Sequence, residues 1–201
     1  MEKVTVEYDV YTFDELSEEA KEKALETWNA NNDYMEIIDT FVELLESLNL
    51  PNAKIYYSGF WSQGDGLCFE MSASEMHHID LNVLEKSFPK EYWEWAHQFA
   101  EKMNCVTAIK EDTGVVVTST HRGQYYHENS VIIDVEPLEV LEEWRTWEKT
   151  EEVVIRLFRK LMSEMYAFLE KNYNYYSSME CFQEIAKGNE WRFLKNGEQF
   201  D

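Results

Sequence analysis

Residues 54–73 of this chain read KIYYSGFWSQGDGLCFEMSA, and this stretch decides the class of fold. Its two flanks, Lys54–Phe60 and Leu67–Ala73, are rich in aromatic and other strand-forming residues, so they predict β-strands. The loop between them contains Gly64 and Gly66, and glycine readily adopts the positive φ angles that hairpin turns need. The stretch therefore predicts an antiparallel hairpin.

Further strands are predicted on both sides of this hairpin. They are residues 3–10, Val106–Lys110, Val115–Thr120 and Tyr125–Val135. In residues 3–10 the apolar Val4, Val6, Tyr8 and Val10 alternate with polar residues, which is the pattern of a half-buried strand. Asn196-Gly197 near the end of the chain predicts a last hairpin-like turn.

Helical periodicity occupies much of the remaining chain. The predicted helices cover residues 17–29, 34–48, 89–103 and 137–173, with a short one between a capping box at Ser177 and Glu180 and a stop at Gly188. Strands joined by short loops favour an antiparallel sheet. We therefore expect one α+β domain spanning residues 1–201. It should hold a sheet of about five to six strands with helices packed on it, including a long C-terminal helix.

The charge of the chain limits its partners. Forty acidic and 18 basic residues give a net charge of -22. Phosphate backbones and anionic lipids repel such a chain, whereas a basic protein attracts it. We therefore expect no direct binding to nucleic acid or membrane.

The cysteines and histidines indicate neither a disulfide framework nor a metal site. Cys68, Cys105 and Cys181 are odd in number and widely spaced. The groups His77-His78 with Asp80, and His121 with His127 and Glu128, lack the spacing that sets two imidazoles on one helical face. We expect no metal, no cofactor, a buried and inert Cys68, and a cytoplasmic location.

Asp65 and Trp61 in the first hairpin loop are open to two interpretations. Asp65 is a candidate to face a substrate or partner beside Trp61, yet Gly and Asp also occupy turns for conformational reasons alone. The loop is not a phosphate-binding loop, because neither Lys-Ser nor Lys-Thr follows it. An enzymatic alternative places Asp65, His121 and His127 near one site.

Acidic residues recur at helical spacing in two segments. The first set is Glu15, Glu19, Glu22 and Glu26, and the second is Glu36, Asp39, Glu43 and Glu46. Steps of three and four residues place each set on one side of a helix, opposite its apolar stripe. An ordinary solvated face explains such a ridge, and so does a surface that docks on a basic groove.

Four blocks of the sequence resemble a loose group of uncharacterised proteins carried by bacteriophages, prophages and plasmids. The blocks are residues 11–24 (YTFDELSEEAKEKA), 63–66 (QGDG), 125–130 (YYHENS) and 189–197 (NEWRFLKNG). The resemblance implies a mobile-element accessory protein that acts inside a bacterial host, and it carries over no catalytic residue.

These observations favour a binding protein over an enzyme. The leading hypothesis is inhibition of a host defence machine that handles nucleic acid, such as a CRISPR effector or a restriction enzyme, by nucleic-acid mimicry. Its partner-binding residues would be the two acidic ridges with Trp61 and Asp65. The alternatives are a small hydrolase or nucleotide-processing enzyme using Asp65, His121 and His127, and a structural or regulatory protein that acts as a homo-oligomer.

Overall fold

The computed structural model describes Val4 and residues 6–31, 35–47, 50–76, 115–137 and 144–200. The helices in these ranges are α1 (Glu18–Asn31), α2 (Met35–Ser47), α3 (Trp144–Tyr176) and α4 (Met179–Gly188). The strands are β1 (Lys54–Tyr57), β2 (Leu67–Met76), β3 (Val115–His121), β4 (Val131–Pro137), β5 (Arg192–Phe193) and β6 (Gln199–Phe200). Short 3-10 helices cover Phe13–Glu15 and Glu128–Ser130.

The α+β class is confirmed, with an antiparallel sheet and a long C-terminal helix. The predicted helix at residues 89–103 and the predicted strand Val106–Lys110 lie outside the described residues. The chain divides into two compact units, one of residues 35–170 and one of residues 1–34 with 171–201. Whether these units act as one domain stays a prediction.

The larger unit contains a four-stranded sheet in the order β1-β2-β3-β4, in which every neighbouring pair is antiparallel. The predicted hairpin is confirmed, since Tyr57 pairs with Leu67 across the loop. Ser119 is a buried polar side chain of β3, and its hydroxyl donates to the carbonyl of Phe69 on β2 at 2.7 Å. A buried hydroxyl thus reinforces the centre of the sheet instead of destabilising it.

Strand β4 begins later than the sequence indicates. The prediction placed a strand over Tyr125–Val135, whereas the strand starts at Val131 after a 3-10 helix. The hydroxyl of Ser130 lies within hydrogen-bonding distance of the carbonyls of Tyr125 and His127. These bonds favour a compact turn over an extended chain, since a side chain that bonds to nearby backbone competes with strand pairing.

Helices α2 and α3 supply the other half of the core of the larger unit. Phe158 on α3 contacts Phe69 on β2 with ring centroids 5.5 Å apart. Phe41 on α2 contacts Phe168 on α3 at 6.0 Å in an edge-on geometry. Phe41, Phe69 and Phe158 are wholly buried. Full burial of an aromatic side chain stabilises a fold by about 2 kcal/mol or more.

The smaller unit has its own aromatic core. Phe182 on α4 contacts Phe13 at 5.2 Å and Trp28 at 5.8 Å, and Trp28 also contacts Trp191 at 5.7 Å. The buried members of this core are Phe13, Leu16, Ala20, Ala24, Phe182, Ala186 and Phe193. The N-cap of helix α4 lies one residue after the predicted Ser177, because the hydroxyl that accepts the Cys181 amide belongs to Ser178.

The first residues of the chain differ from their prediction. Residues 3–10 were expected to form a half-buried strand, yet Val4 and residues 6–10 lie in no strand. The first paired residue is Tyr11, which exchanges two backbone hydrogen bonds with Phe193. Val4, Val6, Tyr8 and Val10 are exposed. An alternating pattern shows that a segment suits a sheet, but it does not supply the neighbouring strand.

The turn of the last hairpin requires glycine. Gly197 has a φ of 86°, and a Cβ built there would lie 2.1 Å from the carbonyl oxygen of Ala20 on α1. We expect Gly197→Ala to lower the free energy of unfolding by about 2–4 kcal/mol, from backbone strain and the clash together. Urea denaturation followed by circular dichroism measures this.

The matched control is Gly188→Ala. A Cβ built on Gly188 meets no atom within 4 Å beyond its chain neighbours and the backbone of its own helix. This change should shift the free energy of unfolding by less than about 1 kcal/mol. Equal losses in the two variants would contradict the close approach of the hairpin turn to α1.

Cys68 and Cys181 are buried free thiols, and burial raises the pKa of each, that of Cys68 to about 12. The reactive species is the thiolate, so at about pH 8 almost none of Cys68 is nucleophilic. We expect a disulfide reagent to label neither thiol in the native protein within minutes, and both after denaturation. Mass spectrometry of peptides assigns the label, and rapid native labelling of Cys68 would contradict its burial.

Candidate functional site

The hairpin loop that carries Trp61 and Asp65 is held by its own aspartate. Oδ2 of Asp65 accepts hydrogen bonds from the backbone N–H groups of Ser62 at 2.6 Å and Trp61 at 2.9 Å. The hydrogen bond from Ser62 is the main cause of the lowered pKa of Asp65. The carboxylate therefore stabilises the turn, as the conformational interpretation expects. Trp61 is 78 % exposed on this hydrogen-bonded loop.

The same loop packs against the segment 125–127. A Cβ built on Gly66 would lie 2.7 Å from Cα of His127 and 2.9 Å from the carbonyl oxygen of Tyr126. A Cβ on Gly64 would lie 3.0 Å from the ring of Tyr125. Two blocks that are distant in sequence thus meet in the larger unit, and the glycines allow the approach.

His121 lies in a small polar and aromatic cluster beside this loop. Its Nε2 is 2.8 Å from the carbonyl oxygen of Tyr125, and its backbone N–H donates to Glu70 at 3.0 Å. The Tyr56 hydroxyl donates to the same carboxylate at 3.1 Å, and this bond is the main cause of the raised pKa of Tyr56. The rings of Tyr56 and Tyr126 stack with centroids 5.7 Å apart.

His127 acts as a helix cap. Its Nδ1 accepts the N–H of Asn129 at 3.2 Å at the start of the 3-10 helix Glu128–Ser130. The same nitrogen lies 3.0 Å from a carboxylate oxygen of Glu128, and a protonated Nδ1 would donate a hydrogen bond to that oxygen instead of accepting one from Asn129. Either way, the ring is engaged with its own segment.

The three residues of the enzymatic alternative, Asp65, His121 and His127, therefore stabilise the backbone of loops. Among the described residues, no hydrogen bond or ion pair joins Asp65 to His121 or His127, and each contacts backbone of its own segment. The described part of the chain also contains no group of three or more side chains suited to a metal. His77, His78, Asp80 and Cys105 lie outside the described residues.

The first acidic ridge is shorter than its prediction. Glu15 lies in the 3-10 helix Phe13–Glu15 and not on α1, because its carboxylate accepts the N–H and the hydroxyl of Thr12, both at 2.8 Å. Glu19, Glu22 and Glu26 are exposed on α1. They line a groove of about 540 Å³ whose other charged walls are Lys23 and Lys195. This ridge therefore shares its groove with two lysines.

The second acidic ridge is complete and purely negative. Glu36, Asp39, Glu43 and Glu46 are all exposed on α2. That helix contains neither lysine nor arginine. Its opposite side is buried through Phe41, Leu44 and Leu45.

Helices α1 and α3 each contain ion-paired acids, whereas the described residues show no such pair on α2. Glu18 binds Lys21 on α1 at 2.8 Å, and Glu152 binds Arg156 on α3. Within the described ranges, no ion pair reaches the four acids of α2. Like charges at this spacing repel by a few tenths of a kcal/mol per pair. A surface of this kind attracts a row of cationic groups.

Sequence reasoning missed Tyr56, Glu70 and Tyr125, which link the strands of the first hairpin to His121 and the segment 125–127. The available signal was Glu70, an acid within the apolar run of β2. A carboxylate in such a strand favours a role as a hydrogen-bond acceptor, since a half-buried charge needs partners.

In the described part of the chain, none of the helices has an uncharged, apolar stretch of the length that a bilayer requires. The chain matches no curated protein and no solved structure. A family model described as a domain of unknown function, DUF8835, matches residues 17–179 and so covers most of the sequence. The chain therefore belongs to the family that this domain defines.

Proposed function

We propose that this protein is an acidic binding protein that inhibits a bacterial defence enzyme by occupying its nucleic-acid channel. The partner is a basic protein that handles nucleic acid, such as a CRISPR effector or a restriction enzyme. The site of action is the cytoplasm of a bacterial host. The resemblance of four sequence blocks to phage, prophage and plasmid proteins supports this setting.

The observation that carries the proposal is the unneutralised ridge on α2. The four exposed acids repel one another on a 13-residue helix that has no basic residue. This repulsion raises the free energy of the folded protein. Solubility alone does not require this arrangement, since a surface with acids and lysines interspersed is also soluble. A basic groove on a partner relieves the repulsion.

The geometry of the ridge suits a surface that replaces phosphates. At 100° and 1.5 Å per residue, the four acids lie within a stripe about 80° wide, with steps of about 4.5 and 6 Å along the axis. Lysine and arginine side chains that bind successive phosphates can reach carboxylates at such intervals. Long-range attraction to the net charge of -22 would also speed the encounter.

Trp61, Asp65 and the α1 ridge complete the proposed contact residues. Trp61 is the most exposed aromatic side chain among the described residues, and the hydrogen bonds of Asp65 keep its loop ordered. An ordered loop loses little entropy on binding, and tryptophan is enriched at interface hot spots. Glu19, Glu22 and Glu26 rank below the α2 ridge because Lys23 and Lys195 share their groove.

We expect the isolated protein to leave random-sequence duplex DNA unbound at physiological salt. The reason is the repulsion between phosphates and a chain of net charge -22. An electrophoretic mobility shift assay measures this. A shifted band at sub-micromolar protein would contradict the assignment of the acidic surface to a protein partner.

The α2 ridge is tested by neutralising it in the variant Glu36→Gln, Asp39→Asn, Glu43→Gln, Glu46→Gln. The protein is added to DNA-cleavage assays with a panel of purified CRISPR effectors and restriction enzymes. We expect the wild type to inhibit at least one enzyme. The variant should be roughly 10- to 100-fold weaker, because each exposed charge contributes up to about 1 kcal/mol. The difference should shrink at high salt.

The control variant is Glu7→Gln, Asp9→Asn, Asp134→Asn, Glu136→Gln. All four positions are exposed, and both variants raise the net charge from -22 to -18 by removing four acids. The control should inhibit within about threefold of the wild type, since its acids lie on no helical ridge. Equal weakening of both variants would show that net charge alone acts. Absence of inhibition across the panel would contradict the proposed function.

A further inference from the structure

The turn of the last hairpin contains the one Asn-Gly pair of the sequence, Asn196-Gly197. The turn joins β5 to β6, and in it Asn196 is exposed whereas Gly197 is buried. Asparagine followed by glycine is prone to deamidation, because glycine has no side chain to keep the asparagine amide away from its backbone nitrogen. The pair is therefore a candidate site of covalent modification.

Deamidation at this pair consumes only water. The backbone nitrogen of Gly197 attacks Cγ of Asn196, and the new N–C bond closes a cyclic succinimide. The side-chain nitrogen of Asn196 leaves as ammonia and takes the proton of the Gly197 N–H. Water then opens the ring, and it gives aspartate when the bond to Cγ breaks or isoaspartate when the bond to the backbone carbonyl carbon breaks.

In the folded protein both reacting groups are engaged in other bonds. The N–H of Gly197 donates to the carbonyl of Leu194 at 2.9 Å. Oδ1 of Asn196 accepts the N–H of Glu198 at 3.1 Å, and Nδ2 donates to Oε2 of Glu198 at 3.2 Å. Attack requires the Gly197 nitrogen to lose its proton and the side-chain amide to turn toward it. These hydrogen bonds must therefore break, which requires a local opening of the turn.

The isoaspartate product does not fit the closed turn. Isoaspartate carries the main chain through its own Cβ and Cγ, so it lengthens the backbone between residues 196 and 197. Gly197 leaves no room for this, since a Cβ built there would lie 2.1 Å from the carbonyl oxygen of Ala20. The aspartate product keeps the length of the main chain, and its carboxylate can still accept the N–H of Glu198.

We propose that Asn196 is a modification site which the folded turn protects: it deamidates when the turn opens, and the isoaspartate formed keeps the turn from closing again. Strand β5 contains Phe193, a buried member of the core of the smaller unit. A turn that stays open therefore destabilises that unit. Because ammonia is lost, the change persists and marks each molecule whose last hairpin has opened. The inference does not rest on the proposed function.

The test follows deamidation of the full chain in native buffer and in a denaturing concentration of guanidinium chloride, at the same mildly alkaline pH and the same temperature. Peptide mass spectrometry with electron-transfer fragmentation quantifies aspartate and isoaspartate at position 196 over time. We expect the reaction in both conditions, with a rate at least tenfold lower in the native protein. Equal rates would overturn the protection by the turn, and an unreactive denatured chain would overturn the site itself.

The variant Glu198→Ala tests the hydrogen bond that holds the side-chain amide. It removes the acceptor of Nδ2, so the ratio of the denatured rate to the native rate should fall at least threefold. The matched control is Gln199→Ala, which truncates the next exposed residue and should keep the ratio of the wild type. The same ratio in all three chains would overturn the mechanism of protection.

The variant Asn196→Asp separates the new charge from the longer backbone. It has the charge of the deamidated protein with an unchanged main chain, so its melting temperature should stay close to that of the wild type. Chains that contain isoaspartate are made by deamidation in denaturant, refolded and purified. These chains should melt at a clearly lower temperature than Asn196→Asp. Equal melting temperatures would overturn the claim that isoaspartate keeps the turn open.

Discussion

The rotation of α2 about its own axis is the constraint on which the rest of the functional interpretation depends. Phe41, Leu44 and Leu45 are buried, and Phe41 contacts Phe168 of α3. Burying this stripe contributes several kcal/mol, far more than the repulsion among exposed acids costs. The hydrophobic contact therefore decides which side faces inward, and the four acids of α2 must face solvent together. Core packing explains why these four side chains lie on one side of the helix, but it does not explain why all four are acidic.

Charge is distributed unevenly along the chain, and the net charge alone does not show this. Helices α1 and α3 contain acids paired with Lys21 and Arg156, respectively, while α2 contains no cation. The Asp65 carboxylate is engaged with backbone N–H groups. Acids that stabilise the fold can thus be separated from the acids of α2, which form no ion pair with any described residue. This separation makes α2 the centre of the proposed surface.

The sequence alone predicted the elements with strong periodicity. The α+β class, the first hairpin, α1, α2 and the long α3 were all expected from apolar spacing and turn residues. Helical spacing predicted Glu15 on the ridge of α1. Its carboxylate instead forms a capping hydrogen bond with Thr12, one turn before that helix. The meeting of Gly66 with His127 could not be foreseen, because sheet register and loop packing depend on long-range contacts that no local pattern encodes.

Mimicry requires that this protein and nucleic acid exclude one another on the same enzyme, and steady-state kinetics measures that exclusion most directly. For a defence enzyme that the protein inhibits, cleavage rates are recorded over a range of DNA concentrations at several fixed inhibitor concentrations. Competition predicts that the apparent KM for DNA rises in proportion to inhibitor while kcat stays unchanged. A fall in kcat with an unchanged KM would place the protein away from the nucleic-acid channel and contradict mimicry.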